Sequence, residues 1–357
     1  MATAYLNRIA TAVPENDVHH RFVDIAPSML NSERTRALFK RMAARAQIEH
    51  RYSFLTPSSD AHHIDNEGFY TFGSFPDTKT RMQYYERHAF GLAQRALDLL
   101  GLPAVTGSIT HLILTTCTGF YAPSLDLQIV EHYGLNASVE RTIVGFMGCN
   151  AAFNALKLAR HIVRSEARAK VLILNVELCT LHLQETQDLE QLLSFLVFAD
   201  GCAASLVSAE PSGIELQSFH ATILPESSDQ ITWRVGGAGF EMVLSGKIPA
   251  SITKELPSYL GAMLEGGRSE DIRHWAVHPG GRVILDSVQK TLGLSETMLD
   301  SSRKILRMFG NMSSATIMFV LQDMMEQCGP SGLGCAMAFG PGVTIESMLF
   351  QLAGVDG

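Results

Sequence analysis

Arg141-Thr-Ile-Val-Gly-Phe-Met-Gly-Cys149-Asn-Ala-Ala-Phe-Asn-Ala-Leu-Lys-Leu-Ala-Arg160 changes character around one cysteine. Before it, β-branched and apolar residues from Thr142 to Met147 spell a strand; after it, Ala151 to Ser165 carries apolar residues at helical spacing. Cys149 therefore falls at the strand-to-helix junction. A thiol in the first turn of a helix feels the positive end of the helix dipole, which stabilises thiolate. Taken alone, a cysteine beside a buried strand is just as well a packing residue.

The same alternation extends outward. Helix signals and basic residues (Arg34, Arg36, Lys40, Arg41, Arg45, Arg51) run from Asn31 to Arg51, as on a solvated face, and Pro57 to Asp77 is loop-like. A long helix is expected from about Thr80 to Leu100, stopped by Gly101 and Pro103. Strands are expected at His111–Thr116, Lys170–Val176 and Gly201–Val207, with a helix at Leu125–Tyr133. Towards the C-terminus a strand reaches His278, helices begin at Arg282 and near Ser313, and a β region spans Gly334 to Phe350. Strands alternating with helices imply an α/β fold with parallel strands covered on both faces. The reading is two related α/β halves sharing one core, 1–210 and 211–357, joined near Pro211.

Composition narrows the function. With 357 residues, 46% hydrophobic and 18% charged, the chain has the profile of a compact soluble α/β protein. Its apolar runs are too short to span a bilayer, and its first ten residues lack a signal-peptide pattern, so a cytoplasmic protein without integral membrane association is expected. A formal net charge of −8 argues against nucleic acid as a partner. The six cysteines (Cys117, Cys149, Cys179, Cys202, Cys328, Cys335) contain no C-x-x-C pair and read as free thiols, mostly in the core. Motifs for a metal or a redox cofactor are missing: there is no H-E-x-x-H and no Walker loop, and Gly332-Leu-Gly-Cys-Ala-Met337 fails the dinucleotide fingerprint.

Two further segments give Cys149 company: Trp275-Ala-Val-His278-Pro-Gly-Gly281 and Phe309-Gly-Asn311-Met-Ser-Ser-Ala315. Histidine can take the proton of a thiol near neutral pH. Asparagine is a neutral donor that stabilises an oxyanion without titrating. Each has an ordinary structural alternative, a turn histidine and an N-cap asparagine. Papain-like hydrolases also use Cys, His and Asn in this order, but their C-G-x-C-W context is absent.

Gly148-Cys149, Val277-His278-Pro-Gly-Gly281, Gly310-Asn311-Met-Ser-Ser-Ala315 and Ala338-Phe-Gly-Pro-Gly342 together resemble the type III polyketide synthases of the chalcone/stilbene synthase family, from about Tyr5 to Phe350. The resemblance implies a thiolase-like fold, duplicated α/β halves in a five-layer αβαβα arrangement, and a homodimer. It implies iterative decarboxylative condensation of malonyl-CoA onto an acyl-CoA starter held on Cys149, with His278 and Asn311 holding the malonyl thioester carbonyl. The product would be an α-pyrone or a resorcinol- or phloroglucinol-type ring. No cofactor is implied beyond coenzyme A thioesters as substrates. Phe198 and Phe240 match the family's gatekeeper phenylalanines; Cys117, Cys179, His182, Ser313 and Phe339 fall at substrate-cavity positions. Arg45 and Arg51, with Gly280 and Gly281, fall where coenzyme A would be met. Cys117, Cys179 and His182 stand where plant members carry threonine, and cysteine at 117 is similar to bacterial members whose site lines a longer acyl tunnel. The alternative is a β-ketoacyl synthase III-like enzyme performing one condensation on an acyl carrier protein, although that group's asparagine motif is closer to G-N-T-S-A-A.

Overall fold

The computed structural model describes residues 1–60, 63–327 and 330–353, so Cys328 lies outside the described residues. In chain order the longer strands are β1 (Tyr5–Ala12), β2 (His111–Thr116), β3 (Glu140–Gly145), β4 (Val171–Leu178), β5 (Asp200–Ser208) and β6 (Ile214–Ile223). They continue with β7 (Ile231–Gly236), β8 (Gly239–Leu244), β9 (His274–Val277), β10 (Gly332–Gly340) and β11 (Thr344–Leu352). The helices that build the layers are α1 (Thr78–Leu100), α2 (Ala151–Ser165), α3 (Ile248–Met263), α4 (Arg282–Leu292) and α5 (Thr316–Glu326).

Nine strands hydrogen-bond in the order β9-β10-β11-β6-β1-β5-β4-β2-β3, while β7 and β8 form a separate hairpin. The ribbon is pinched between β1 and β6, which pair only at Tyr5–Glu215 and Leu6–Ile214. Strand parity then sorts the side chains into layers. Ile113, Ile173 and Ala203 from one side of the pinch, and Ala276, Ala336 and Met348 from the other, share a core with Phe153 and Leu156 of α2 and Ile317 and Val320 of α5. The opposite parity, Leu112, Leu172 and Ala204, packs on Leu92, Ala93 and Ala96 of α1. On the far side Trp275, Cys335 and Met337 pack with Ile252 of α3 and with Leu285 and Val288 of α4. The stack is helix, sheet, helices, sheet, helices: αβαβα.

The local signals act as chemistry dictates. Asp77 caps α1, its Oδ1 accepting the Thr80 N–H at 2.8 Å, and Gly101 ends it at φ 77°. The α2 stripe Ala152, Leu156, Ala159 and Val163 is buried along one face.

Three expectations change. The sheet is mixed: β2 is parallel to β3 and β4, and β9 to β10, but β4–β5, β5–β1, β11–β6 and β10–β11 are antiparallel. The segment between β4 and β5 stays at one end of the sheet instead of crossing it, so β5 returns antiparallel. The single C-terminal β region is a hairpin, β10 and β11, turned at Pro341–Val343. And β6, the β7–β8 hairpin and α3 had no counterpart in the sequence reading; α3 carries Pro257 within it.

Candidate active site

Turns that follow strands carry Cys149 and His278, and Asn311 reaches the His278 turn through its Nδ2, 3.5 Å from Gly280 O. Cys149 lies in the helical turn Gly148–Asn150 between β3 and α2. His278 follows β9, its backbone N–H donating to Met337 O at 2.8 Å. Asn311 is stitched to the segment that carries Phe198: its N–H donates to Val197 O at 2.7 Å and its carbonyl accepts from Ala199 N at 2.9 Å.

Two glycines permit this approach. Gly148 has φ 73°, and a Cβ there would stand 2.3 Å from Cδ of Pro341. Gly310 has φ 70°, and a Cβ would stand 2.8 Å from both Arg51 Cγ and Val197 O. Any side chain at either position meets both backbone strain and a collision.

Cys149 opens into a cavity of about 350 Å³ whose wall includes Cys117, Cys179, Phe198 and Ser313. The wall opposite is one the sequence reading missed: Ile231, Trp233 and Met242 from the β7–β8 hairpin, with Pro341. Trp233 is anchored by Nε1–H donating to Cys117 O at 2.6 Å. The hairpin does have a signal, the Gly236-Gly-Ala-Gly239 turn between two short runs.

Burial dominates the electrostatics. It pushes the half-buried Cys149 thiol up to about 12, against hydrogen bonds from the side chains of Ser313 and Asn311 that favour thiolate. Burial alone pushes His278 down to about 3, so its imidazole is neutral, and neither ring nitrogen has a hydrogen-bond partner. Burial thus acts on both groups against their charged forms, opposite in sign to the pull of the helix start on the thiol. Asn311 is oriented by Ser313 N–H, which donates to its Oδ1 at 2.9 Å, while its Nδ2 lies 3.5 Å from Gly280 O. Ser313 holds φ 48°, a strained value for a residue with a side chain.

Beneath the cavity lies Glu177, fully buried and absent from the sequence reading. Its Oε2 accepts from Cys117 N and from Thr118 Oγ1, each at 2.9 Å, and its Oε1 from Ser314 Oγ at 2.6 Å. Burial pushes its carboxyl up to about 7 despite these bonds. A charged residue inside the apolar run Val171–Leu178 was the available signal.

Several expected site residues are placed elsewhere. Phe240 is buried and stacked on His182 with ring centroids 4.2 Å apart, and Trp233 takes its expected place on the wall. His182 faces backbone: Nε2–H donates to Thr118 O at 2.8 Å and Nδ1 accepts from Phe240 N at 3.0 Å. Burial holds it neutral, down to about 3. Phe339 points with Cys335 and Met337 into the outer core by strand parity, leaving Pro341 to reach the cavity. Arg51 is 2% exposed, its Nη1 donating to the carbonyls of Phe195 and Phe198 at 3.0 and 2.7 Å and its Nε to His19 Nδ1 at 3.0 Å. It is a structural tie and not a surface contact for coenzyme A. Arg45 is exposed, and its carbonyl accepts from Arg282 Nη1 at 2.9 Å, next to Gly281 at the start of α4.

A five-layer αβαβα stack that carries a cysteine and a histidine on turns after its strands, with an asparagine against the histidine turn, defines a thiolase-like enzyme fold. Family models for chalcone and stilbene synthases match almost throughout, the N-terminal domain over residues 2–211 and the C-terminal domain over residues 215–353. The chain belongs to the chalcone and stilbene synthase family and is a type III polyketide synthase, an acyltransferase. It is 37% identical over 290 residues to the alpha-pyrone synthesis polyketide synthase-like Pks18 of Mycobacterium tuberculosis, covering 77% of this chain and 73% of that one. It is 32% identical over 374 residues to bisdemethoxycurcumin synthase of Oryza sativa subsp. japonica, covering 96% and 91%. Among solved structures it resembles PKS-I of the brown alga Ectocarpus siliculosus, with TM-score 0.84, 26% identity and 99% of each chain covered. The C-terminal type III domain of Steely1 from Dictyostelium superposes with TM-score 0.89 at 23% identity, over 98% of this chain and 99% of that one. Among the described residues no helix is long and apolar enough to cross a membrane.

Proposed function

We propose that Cys149 carries the starter and the growing polyketide as thioesters. The observation that carries this reading is the placement of the half-buried Cys149 thiol on the wall of a cavity shared with Cys117, Cys179, Phe198 and Ser313. Sγ attacks the acyl-CoA carbonyl as His278 takes its proton, and the coenzyme A thiolate leaves and recovers that proton. Malonyl-CoA then loses CO₂, and the electron pair of the broken C–C bond becomes an enolate. Its oxyanion is held by N–H groups of neutral His278 and of Asn311. The enolate carbon attacks the acyl thioester and expels the Cys149 thiolate, giving a β-ketoacyl-CoA that reloads for another round. Decarboxylation supplies the carbanion, so the scheme needs no metal and no redox cofactor. Exposed Arg45, beside Arg282, is assigned to the coenzyme A phosphates.

We assign an α-pyrone product, supported by the likeness to an alpha-pyrone synthesis relative. The single-condensation alternative on an acyl carrier protein is not favoured by the family match. The division at 1–210 and 211–357, with Cys149 in the first part and His278 and Asn311 in the second, and a cytoplasmic location belong to the same proposal. So does a homodimer: β3 is an edge strand whose Ile143 is 43% exposed, near Met147 at 42% and Phe120 at 40%.

The test is product mass spectrometry with malonyl-CoA and starters from acetyl-CoA to long-chain acyl-CoA. Lactones extended by two or more malonyl-derived units are expected. Extension by a single unit, or only from malonyl on a carrier protein, overturns the reading.

A further inference from the structure

The helix that follows Cys149 buries one apolar stripe, Ala152, Leu156, Ala159 and Val163, and carries a second, polar line at Asn150, Asn154 and Lys157. Spaced by four and three residues, these three lie on one helix face. They meet Thr344 and Glu346 of β11, which share a face by strand parity. Asn150 Nδ2 donates to Thr344 Oγ1 at 2.8 Å, Asn154 Nδ2 to Glu346 Oε1 at 3.0 Å, and Lys157 Nζ to Glu346 Oε2 at 2.8 Å. We propose that Asn150, Thr344 and Glu346 are positioning residues: their seam of hydrogen bonds sets where Cys149 Sγ stands relative to His278. The proposal rests on the reading that Cys149 carries the acyl group.

The seam joins the two parts of the site. Cys149 opens α2, whereas β11 belongs to the sheet wing β9-β10-β11, and β9 runs directly into His278. A slide or turn of α2 against that wing therefore moves the thiol relative to the imidazole. The apolar groups that α2 and the wing share, among them Phe153, Leu156, Ala336 and Met348, resist separation but have no preferred direction. Hydrogen bonds fix both length and angle. The first bond of the seam lies right beside the nucleophile, because Asn150 is the next residue in the chain. Its amide also lies against Gly340, where a Cβ would stand 2.5 Å from Asn150 Nδ2. A side chain at 340 would take the space through which the amide reaches Thr344.

Stability is a poor explanation of these residues. Among the described residues, Asn150 Oδ1 and Asn154 Oδ1 are buried and have no donor, and Glu346 is 6% exposed. Burying unmatched amide carbonyls and a carboxylate–ammonium pair costs desolvation that an apolar contact of the same shape avoids. What the polar contact adds is one register of helix on strand, the best-attested use of buried polar groups. At a nucleophile that register matters, since a displacement of about 1 Å is worth about a hundredfold in rate.

Thr344→Val removes the hydroxyl and keeps the branched shape, and Thr344→Ser keeps the hydroxyl. Two steps are timed in each variant: acylation of Cys149 by acetyl-CoA, followed by intact-protein mass, and CO₂ release from malonyl-CoA with no starter present. The first needs the thiol in register with His278; the second needs only His278 and Asn311. In Thr344→Val, acylation is expected to slow about tenfold or more while CO₂ release stays within about twofold of wild type. Thr344→Ser should acylate within about twofold of wild type. Acylation at the wild-type rate in Thr344→Val overturns the inference, and so does a serine variant as slow as the valine one. Equal slowing of both steps overturns it as well, because that is a general loosening of the site. A wild type that forms no acyl-enzyme at Cys149 fails the underlying reading instead, a result read without any Thr344 variant.

Discussion

Across Phe198 the same stretch of chain faces two kinds of space. On the Cys149 side, His278 has two unpartnered ring nitrogens, Ser313 holds φ 48°, and a buried carboxyl, Glu177, is pushed up to about 7. On the other side lies a second cavity, of about 500 Å³, whose wall is apolar and whose polar groups are almost all engaged with one another. The unmet ring nitrogens of His278 and the strained backbone of Ser313 stand on the Cys149 side, where a reacting molecule can complete them. Substitutions of Cys149 and Asn311 should therefore act on rate with every starter, and substitution of the fully bonded Glu177 on stability.

The comparison is tested most severely at Cys149. Cys149→Ala is expected to abolish product from every starter while changing stability by about 1 kcal/mol or less, since one half-buried sulfur is lost. Product at wild-type yield, or a collapse of the thermal transition, would break the division between chemistry and packing.

Asn311→Ala should come next. It removes one donor to the enolate oxyanion, and malonyl-CoA decarboxylation is expected to slow by about 10²–10³-fold. Release of labelled CO₂ from carboxyl-labelled malonyl-CoA measures this directly. An unchanged rate would confine Asn311 to holding Ser313 and the Phe198 segment, which its backbone does in any case.

Glu177→Gln is expected to have the smallest effect, and it concerns stability. Burial raises the folded carboxyl from its ordinary 4.5 to about 7. A raised value means that its contribution is fully present below 4.5 and is lost as pH rises through about 7, where the buried group must ionise. Melting temperatures measured from pH 4.5 to 8 should fall more steeply for wild type than for the glutamine variant. Parallel curves would show that the hydrogen bonds from Cys117, Thr118 and Ser314 already hold the carboxylate ionised.

Much of this was readable along the chain because the signals are local. The helices at Leu125–Tyr133 and Ala151–Ser165 coincide with their expected bounds, since periodicity and Gly134 or a polar boundary settle them within a few residues. His278 and Asn311 were legible for a similar reason: each sits beside glycines that mark a tight backbone approach. What escaped depended on distant partners. Arg51 is indistinguishable in sequence from Arg45, yet one is buried on carbonyls 144 and 147 residues away and the other is exposed. Phe339 looks like a cavity residue because Pro341 is one, but two residues along a strand end the parity turns the first inward and the turn carries the second out.

From the residues alone came the alternation of strands and helices, the order Cys149, His278, Asn311, and the resemblance those motifs carry. These depend on propensities and spacings of a few residues, which survive without knowledge of the fold. The tertiary structure decided the mixed sheet, the hairpin wall with Trp233, the carboxyl at Glu177 and the second cavity behind Cys179 and Phe198. Each of these is set by desolvation and by packing between segments far apart in sequence. Whether the thiol at Cys149 sits as thiolate or thiol is decided in the same way, by how much water the folded cavity leaves it.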